Sequence, residues 1–149
     1  MIIIGYQGIG KSTLAKSDKS YIDLESSIYF HDGVRPENWH IFYCKTAEYL
    51  SKQGYDVFVS SHKPVRDYLL NSKEHAIIIC PDKALKEVWI SRLENRYKDT
   101  LKDKDFRAWQ NAIQKYDENI DDLLNCGFPV ITISCIEYNL QSLIQGEFT

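Results

Sequence analysis

The stretch GYQGIGKST, residues 5 to 13, decides how the chain begins to fold. It contains three of the chain's seven glycines, Gly5, Gly8 and Gly10, within six residues. The apolar run MIII precedes it, and the hydroxyl and apolar run KSTLAKS continues from it. A short apolar run that ends at glycine predicts a buried strand, and KSTLAKS is long enough for about two helical turns. The stretch is therefore expected to be the loop between the first strand and the first helix.

This loop fits the pattern G-x-x-x-x-G-K-[ST], a spacing suited to holding phosphate groups. Glycine lets the backbone turn without a Cβ in the way, so successive N–H groups can surround phosphate oxygens. A helix that begins near Lys11 directs its positive N-terminal end at the same place. Lys11 is expected to reach the β- and γ-phosphates, and the Ser12 hydroxyl to ligate Mg²⁺. The predicted nucleotide-binding residues are Gly5, Gln7, Gly8, Ile9, Gly10, Lys11, Ser12 and Thr13.

The pattern can also arise by chance, in about one chain of this length in two hundred at ordinary glycine frequencies. Its position between a predicted strand and a predicted helix is where a phosphate-binding loop has to lie, and this context favours nucleotide binding. The loop alone does not distinguish a switch GTPase, a motor ATPase and a kinase.

Length and composition favour one domain that spans residues 1–149. The chain is 44% hydrophobic, which fits a water-soluble globular protein. Its formal net charge of −3 disfavours a dedicated nucleic-acid-binding protein without excluding a local basic groove. No stretch approaches the ~20 apolar residues of a membrane span, and the four cysteines lack C-x-x-C spacing. We therefore expect a cytoplasmic protein with free thiols and no membrane partner.

Strands and helices alternate along the sequence. Apolar runs predict strands at residues 1–4, 21–24, 56–61, 76–80 and 128–134, and apolar periodicity predicts long helices from Trp39 to the glycine at 54, over 83–97 and over 106–123. Shorter helices are expected at 11–17, 65–70 and 139–144. Because each predicted strand is a continuous apolar run, we expect a parallel sheet that is covered on both faces.

Two carboxylates end the second predicted strand, in the segment YIDLESS. Asp23 and Glu25 are two residues apart, so an extended backbone points both side chains to the same side. In an open parallel sheet, such strand ends face the crevice where ligands bind. Asp23 is expected to hold the Mg²⁺ shell through water, and Glu25 to orient or deprotonate an acceptor hydroxyl. The alternative is that both residues cap a turn or solvate a loop.

A pair of arginines marks a candidate lid at about residues 92–107. Arg92 and Arg96 are four residues apart, so both project from one helix face, just before the lysine-rich stretch KDTLKDKD. Two guanidinium groups beside a flexible basic segment suit a lid that closes on a transferring phosphoryl group. The alternative is a solvated helix face on which these arginines pair with nearby acids.

These features together resemble the small P-loop kinases, namely the nucleoside and nucleotide kinases and their shikimate and gluconate kinase relatives. The resemblance covers most of the chain and rests on GYQGIGKST, IDLES, VFVSSHKPVRDYL and WISRLENRY. The Asp23-x-Glu25 pair is similar to the D-x-D of shikimate-type kinases. The segment SSHKPVRDYL is similar to the serine-rich strand end of gluconate-type kinases.

The resemblance implies a three-layer α/β/α fold with a five-stranded parallel sheet in the order 2-3-1-4-5. It also implies ATP with Mg²⁺ as the phosphoryl donor, and an acceptor pocket over the carboxyl edge of the sheet. Ser12 and Asp23 would serve the metal, and Glu25 the acceptor. The catalytic set that the resemblance implies is Lys11, Asp23, Glu25, Arg92 and Arg96.

The sequence also departs from these kinases. No acidic residue ends the third strand, so Asp23 would have to replace the missing carboxylate. The D-G-x-P-R motif of nucleotide kinases is absent, and the segment after strand two carries only Arg35 as a candidate anchor for an acceptor phosphate. The identity of the acceptor is therefore open.

Further candidates for the acceptor side lie at the end of strand three. His62 could contact substrate, although a surface histidine is favoured because no partner is evident. Arg66 could reach the acceptor, or pair with a nearby carboxylate such as Asp67. Trp39 is expected in the core, with base stacking as the alternative.

The leading hypothesis is an ATP- and Mg²⁺-dependent phosphotransferase that acts on a small acceptor, a nucleoside or nucleotide. The second is a nucleotide-binding regulatory protein that does not transfer phosphate. A guanine-specific switch is unsupported, because no N-K-x-D motif follows a late strand. The third is a kinase that acts on a nucleic-acid end or on a modified base, which the net charge disfavours.

Overall fold

A computed structural model describes residues 1–32 and 34–146 of the chain. Its five strands are β1 (Ile2–Gly5), β2 (Tyr21–Asp23), β3 (Asp56–Val59), β4 (Ala76–Pro81) and β5 (Val130–Ile133). All neighbouring pairs are parallel, and the order across the sheet is β2-β3-β1-β4-β5. The expected strand order is confirmed.

The described residues form six α-helices. These are α1 (Lys11–Ser17), α2 (Trp39–Lys52), α3 (Lys63–Leu69), α4 (Lys86–Thr100), α5 (Asp103–Leu124) and α6 (Leu140–Gln145). There are also two short 3-10 helices: Ser26–Tyr29 was not expected from the sequence, whereas Lys83–Leu85 forms the start of the helix expected over 83–97.

Helices cover both faces of the sheet. Ile2, Ile3 and Ile4 alternate between the two faces of β1, yet each is fully buried. Helix α2 packs against β1, β3 and α3, whereas α5 packs against β4 and α4. The arrangement is therefore consistent with the expected three-layer α/β/α fold.

The expected flexible break between the two long helices is wrong. Helix α4 continues to Thr100 and α5 begins at Asp103, so only a two-residue turn separates them, with Leu101 at φ 55°. The buried Asp105 carboxylate accepts a hydrogen bond from Thr100 Oγ1 and forms an ion pair with Arg96. These contacts tie the start of α5 to the end of α4. The candidate lid is therefore the end of a helical hairpin.

The remaining expectations concern membranes and thiols. Among the described residues, no helix combines the length and the apolar character that a membrane crossing requires. All four cysteines are free thiols, and Cys135 is exposed whereas Cys44 and Cys80 are buried.

Candidate functional site

A cleft of about 490 Å³ lies at the carboxyl edge of the sheet. Gly5 ends β1, Asp23 ends β2 and Ser60 follows β3, and all three line the cleft together with residues of α4 and α5. This is where ligands bind in open α/β sheets, because the loops that leave adjacent strands diverge there. We call the part lined by the loop residues Gly5, Gln7, Gly8 and 10–13 the loop end. The part lined by Phe30, Arg35, His62 and Arg107 is the arginine end.

The loop end presents backbone donors. Within residues 1–32 and 34–146, neither a carbonyl nor a side chain accepts a hydrogen bond from the amides of residues 7 to 13. Intrahelical bonding begins only where Leu14 N donates to Gly10 O. Seven consecutive amides, including the first turn of α1, thus lack a partner among the described residues, and all but that of Ile9 belong to residues that line the cleft, where an anion could accept from them.

The carbonyls of the same loop are held by side chains from distant parts of the chain. Trp89 Nε1 donates to Gln7 O at 2.7 Å, and Tyr138 Oη donates to Ile9 O at 2.8 Å. Arg92 Nη1 donates to Gly8 O at 3.2 Å and to Tyr138 Oη at 2.9 Å. Because these carbonyls are bonded to side chains of α4 and of the segment after β5, the loop conformation is fixed before any ligand binds.

Gly8 is required by its conformation and by its neighbours. Its φ is +84°, in the region that side chains disfavour. A Cβ at this position would lie 3.0 Å from Leu93 Cδ2 and 3.2 Å from Trp89 Nε1. The second of these atoms is the donor that holds the loop, so a larger residue would disturb the contact as well as the backbone.

Lys11 lines the same end of the cleft. Its Nζ donates to Gly5 O at 3.1 Å. Burial lowers the pKa of the Lys11 ammonium, while the negative charges of Asp23 and Glu25 raise it and so oppose that change. The lysine is thus positioned between the loop and the two carboxylates that the sequence predicts to lie there.

Two side chains beside the loop, Asp23 and Ser12, carry oxygen atoms that could hold a magnesium ion. Asp23 is half-buried, and burial raises the pKa of its carboxyl, with the Lys11 charge opposing the change. No hydrogen bond or ion pair within the described residues engages the Asp23 carboxylate or the Ser12 hydroxyl. Among those residues there is also no group of three or more metal-ligating side chains. Two hard oxygen ligands suit Mg²⁺, which keeps several waters and takes other oxygens from a bound phosphate chain.

Glu25 connects the two ends of the cleft. Its Oε2 accepts from Lys104 Nζ at 3.0 Å. Burial raises the pKa of Glu25, but the hydrogen bond and charge of Lys104, together with the charge of Lys11 and a backbone hydrogen bond, lower it below its usual range. The carboxylate also acts electrostatically on both Lys11 and Arg35. Glu25 is therefore ionised at neutral pH and can accept a proton or a hydrogen bond.

The two predicted lid arginines have different surroundings. Arg96 lines the cleft with its Nε 2.9 Å from Asp105 Oδ1, which leaves further N–H groups of the guanidinium for a ligand. Arg92 lies over Trp89, with its Cζ 4.5 Å from the ring, and bonds to the loop. Its expected role on a transferring phosphate stays a prediction. The contacts it makes here hold Gly8.

At the arginine end, two guanidinium groups meet one aromatic ring. The Cζ atom of Arg107 lies 4.1 Å from the centre of the Phe30 ring, and that of Arg35 lies 5.3 Å from it. Arg35 also lies 4.9 Å from the ring of Trp39. Such contacts orient guanidinium groups without neutralising them. Trp39 is 8% exposed, as expected for a core residue.

The structure corrects the interpretation of His62 as a surface residue. The ring is half-buried beside Trp39, its Nδ1 lies 2.8 Å from Ser60 Oγ, and its Nε2 lies 3.4 Å from Arg35 Nη1. Burial, followed by the charges of Arg35 and other cations, lowers the pKa of His62 to about 4. The ring is therefore neutral at pH 7, so it can accept from Arg35 at Nε2 and donate to Ser60 at Nδ1.

Most predicted site residues meet in this cleft, but two lie outside its lining. Ile9 is a buried residue of the loop, and Arg66 does not line the cleft but donates from its Nε to Ser61 O at 2.9 Å. Sequence analysis missed Phe30 and Arg107, which line the cleft. The sequence did contain a signal for Arg107: it follows Lys104 by three residues on α5, so both side chains project from the same face of the helix.

No protein-family model matches the sequence, and a search of curated proteins finds no significant match. The function is therefore proposed from the geometry and chemistry of the cleft.

Proposed function

We propose that the protein is an ATP- and Mg²⁺-dependent phosphotransferase of the P-loop kinase type, which moves the γ-phosphoryl group to a small acceptor, a nucleoside or nucleotide. One observation carries the proposal: six residues whose backbone amides have no partner in the described part of the chain, Lys11 among them, line a cleft together with Asp23, Glu25 and Arg96. Each of these groups recognises a different part of a metal–triphosphate and its acceptor.

The roles follow from the chemistry of each group. The loop amides and Lys11 would bind the phosphate chain, and Ser12 and Asp23 would hold Mg²⁺. Bound there, the metal would neutralise charge that develops on the transferring phosphoryl group. Arg96 would stabilise the same charge from α4, because it lines the cleft and only its Nε is beside Asp105. Glu25 would orient the acceptor hydroxyl and accept its proton.

A binding module without transfer is the main alternative, and the cleft argues against it. Binding of a nucleotide needs the loop end alone. A purely regulatory protein needs neither an ionised Glu25 nor the charged arginine end, because neither is required to bind the phosphate chain of a nucleotide.

Transfer of labelled γ-phosphate tests the proposal. With ATP, Mg²⁺ and a pool of nucleosides, nucleotides, sugar acids and a short oligonucleotide, label should move to a nucleoside or nucleotide. Lys11→Ala should lower the rate by at least about a hundredfold, because it removes one preorganised charge from the transition state. Lys16→Ala is the matched control, since Lys16 is exposed on the same helix and outside the cleft.

The alternatives predict other products. Slow release of free phosphate with no labelled acceptor would support the binding module, and label on the oligonucleotide would support a nucleic-acid kinase. Equal transfer rates for Lys11→Ala and the wild type would overturn the proposal. Circular dichroism of both variants would show that the fold is retained.

A further inference from the structure

The cations of the cleft differ in whether the protein neutralises them. Lys104 pairs with Glu25, and Arg96 pairs with Asp105. Within residues 1–32 and 34–146, no carboxylate lies within ion-pair distance of Arg35 or Arg107. The arginine end therefore presents two positive charges that have no ion-pair partner in the described part of the chain.

These two charges are close enough to repel each other. Both guanidinium groups contact the ring of Phe30, and the charge of Arg107 adds to burial in lowering the pKa of Arg35. The buried Nε of Arg35 has no hydrogen-bond partner among the described residues. A like-charged pair with an unused buried donor is costly, and an anion placed between the two groups would relieve that cost.

The charge of the whole cleft points the same way. Six lysine and arginine side chains line it against three acidic ones, although the chain as a whole carries a formal charge of −3. His62 adds no charge, because its pKa is about 4. A metal-bound triphosphate at the loop end would not use the excess at the arginine end, since Arg35 and Arg107 are outside the loop.

We propose that Arg35 and Arg107 bind a phosphate ester of the acceptor, so that the substrate is a nucleotide and not a free nucleoside. Arg35 and Arg107, called the arginine pair below, would each donate two parallel N–H bonds to phosphate oxygens. A phosphomonoester carries between one and two negative charges near neutral pH, which matches two guanidinium groups better than a single carboxylate does. The assignment of this ligand as an acceptor rests on the proposed function. The phosphate site itself does not.

Binding measurements separate the two proposals. Calorimetry on the full chain, saturated with Mg²⁺ and a non-hydrolysable ATP analogue, would compare a nucleoside, its 5′-monophosphate and a sugar acid. The monophosphate should bind at least about a hundredfold more tightly than the nucleoside, as expected for two charge-assisted contacts. Equal affinity for the two, or tighter binding of the sugar acid, would overturn the phosphate site.

Substitutions locate the effect. Arg107→Met should remove at least about tenfold of the monophosphate preference, and Arg107→Lys should restore part of it, because lysine keeps the charge but loses the planar fork. Lys45→Met is the matched control, since Lys45 is an exposed cation on α2 outside the cleft. Full preference in Arg107→Met would contradict the assignment. Arg35→Met is a second variant, and its thermal unfolding would show whether the contact with Trp39 was needed for folding.

Two further binding measurements identify the kind of molecule that carries the phosphate and distinguish failure of the phosphate site from failure of the proposed function. A short single-stranded oligonucleotide with internal phosphodiesters would be bound in preference to the monophosphate if the phosphate belongs to a strand, and the arginine pair would still be the site. Loss of analogue binding with retained monophosphate binding would overturn the proposed function alone. Analogue binding with no response to any phosphate ester would overturn the phosphate site alone.

Discussion

The loop end of the cleft presents backbone groups, whereas the arginine end presents charged side chains. At the loop end, each carbonyl of Gln7, Gly8 and Ile9 is bonded to a side chain, and the amides are left for a ligand. At the arginine end, Arg35 and Arg107 are oriented by an aromatic ring and keep their charges. The first end is held in one conformation by hydrogen bonds, and the second is held mainly by packing.

The difference has a physical consequence for recognition. Backbone amides bind any phosphate chain of the right curvature, so the loop end would not select one particular ligand. Guanidinium groups set the charge and shape of one particular ligand. We therefore expect changes at the loop end to abolish nucleotide binding, and changes at the arginine end to alter the choice of acceptor.

Gly8→Ala should have the largest effect, because it should disrupt the backbone conformation of the loop end. The φ of +84° and the close approach to Trp89 would lower the free energy of unfolding by roughly 1–3 kcal/mol. Affinity for an ATP analogue should fall at least about a hundredfold, measured by calorimetry, because the amides would no longer converge. Gly54→Ala is the control: its φ is +98°, but no atom lies within 4 Å of the added Cβ. It should destabilise without weakening nucleotide binding. Unchanged affinity in Gly8→Ala would mean that the loop does not bind the nucleotide.

His62→Gln should change how the free energy of unfolding depends on pH, and so test whether the arginine end keeps His62 neutral. The pKa of His62 is lowered from 6.5 to about 4 in the folded protein. Between these values the unfolded chain binds more protons, so wild-type stability falls as the pH drops through this window. At pH 5 the loss from His62 should be about 2 kcal/mol, and the variant should escape it. Urea unfolding at pH 7 and pH 5 measures this difference.

The control for His62→Gln is His75→Gln, since His75 is exposed. It should show the same fall in stability between pH 7 and pH 5 as the wild type. An identical acid response in His62→Gln would show that the ring at position 62 is not held neutral by its surroundings.

Tyr138→Phe should have an intermediate effect, confined to the loop end. It removes the donor to Ile9 O and one acceptor of Arg92, so nucleotide affinity should fall about tenfold. Monophosphate binding at the arginine end should not change. Tyr116→Phe is the matched control, because it also loses one bond to a backbone carbonyl, that of Asp82, away from the cleft. If both variants lose nucleotide affinity equally, the loop contact has no special role.

Lys104→Met should have the smallest effect, visible only in the pH dependence of transfer. Lys104 lowers the pKa of Glu25 through a hydrogen bond and through its charge. Its removal should raise that pKa and move the acidic limb of the kcat/KM profile to higher pH. Lys102→Met should leave the profile in place, since Lys102 is exposed and does not line the cleft. An unshifted acidic limb in Lys104→Met would indicate that Glu25 is not the proton acceptor.

Sequence reasoning located the loop end well and the arginine end poorly. The spacing of glycines before Lys11 placed the loop, and the carboxylates of Asp23 and Glu25 do line the same cleft. The expected break before α5 failed because no local pattern reveals that Asp105 is buried against Arg96. His62 was misjudged for a similar reason, since its partner Arg35 lies 27 positions away.

By itself, the amino-acid sequence determined the order of strands and helices and the position of the phosphate-binding pattern. These features depend on neighbours a few residues apart, through apolar periodicity and backbone freedom at glycine. Only the tertiary structure decided which side chains hold the loop and which charges stay unbalanced. Trp89 and Tyr138 bond to loop residues 82 and 129 positions away, and Arg107 reaches Phe30 from another helix. Contacts of that kind are set by packing of the whole chain, which no short stretch encodes.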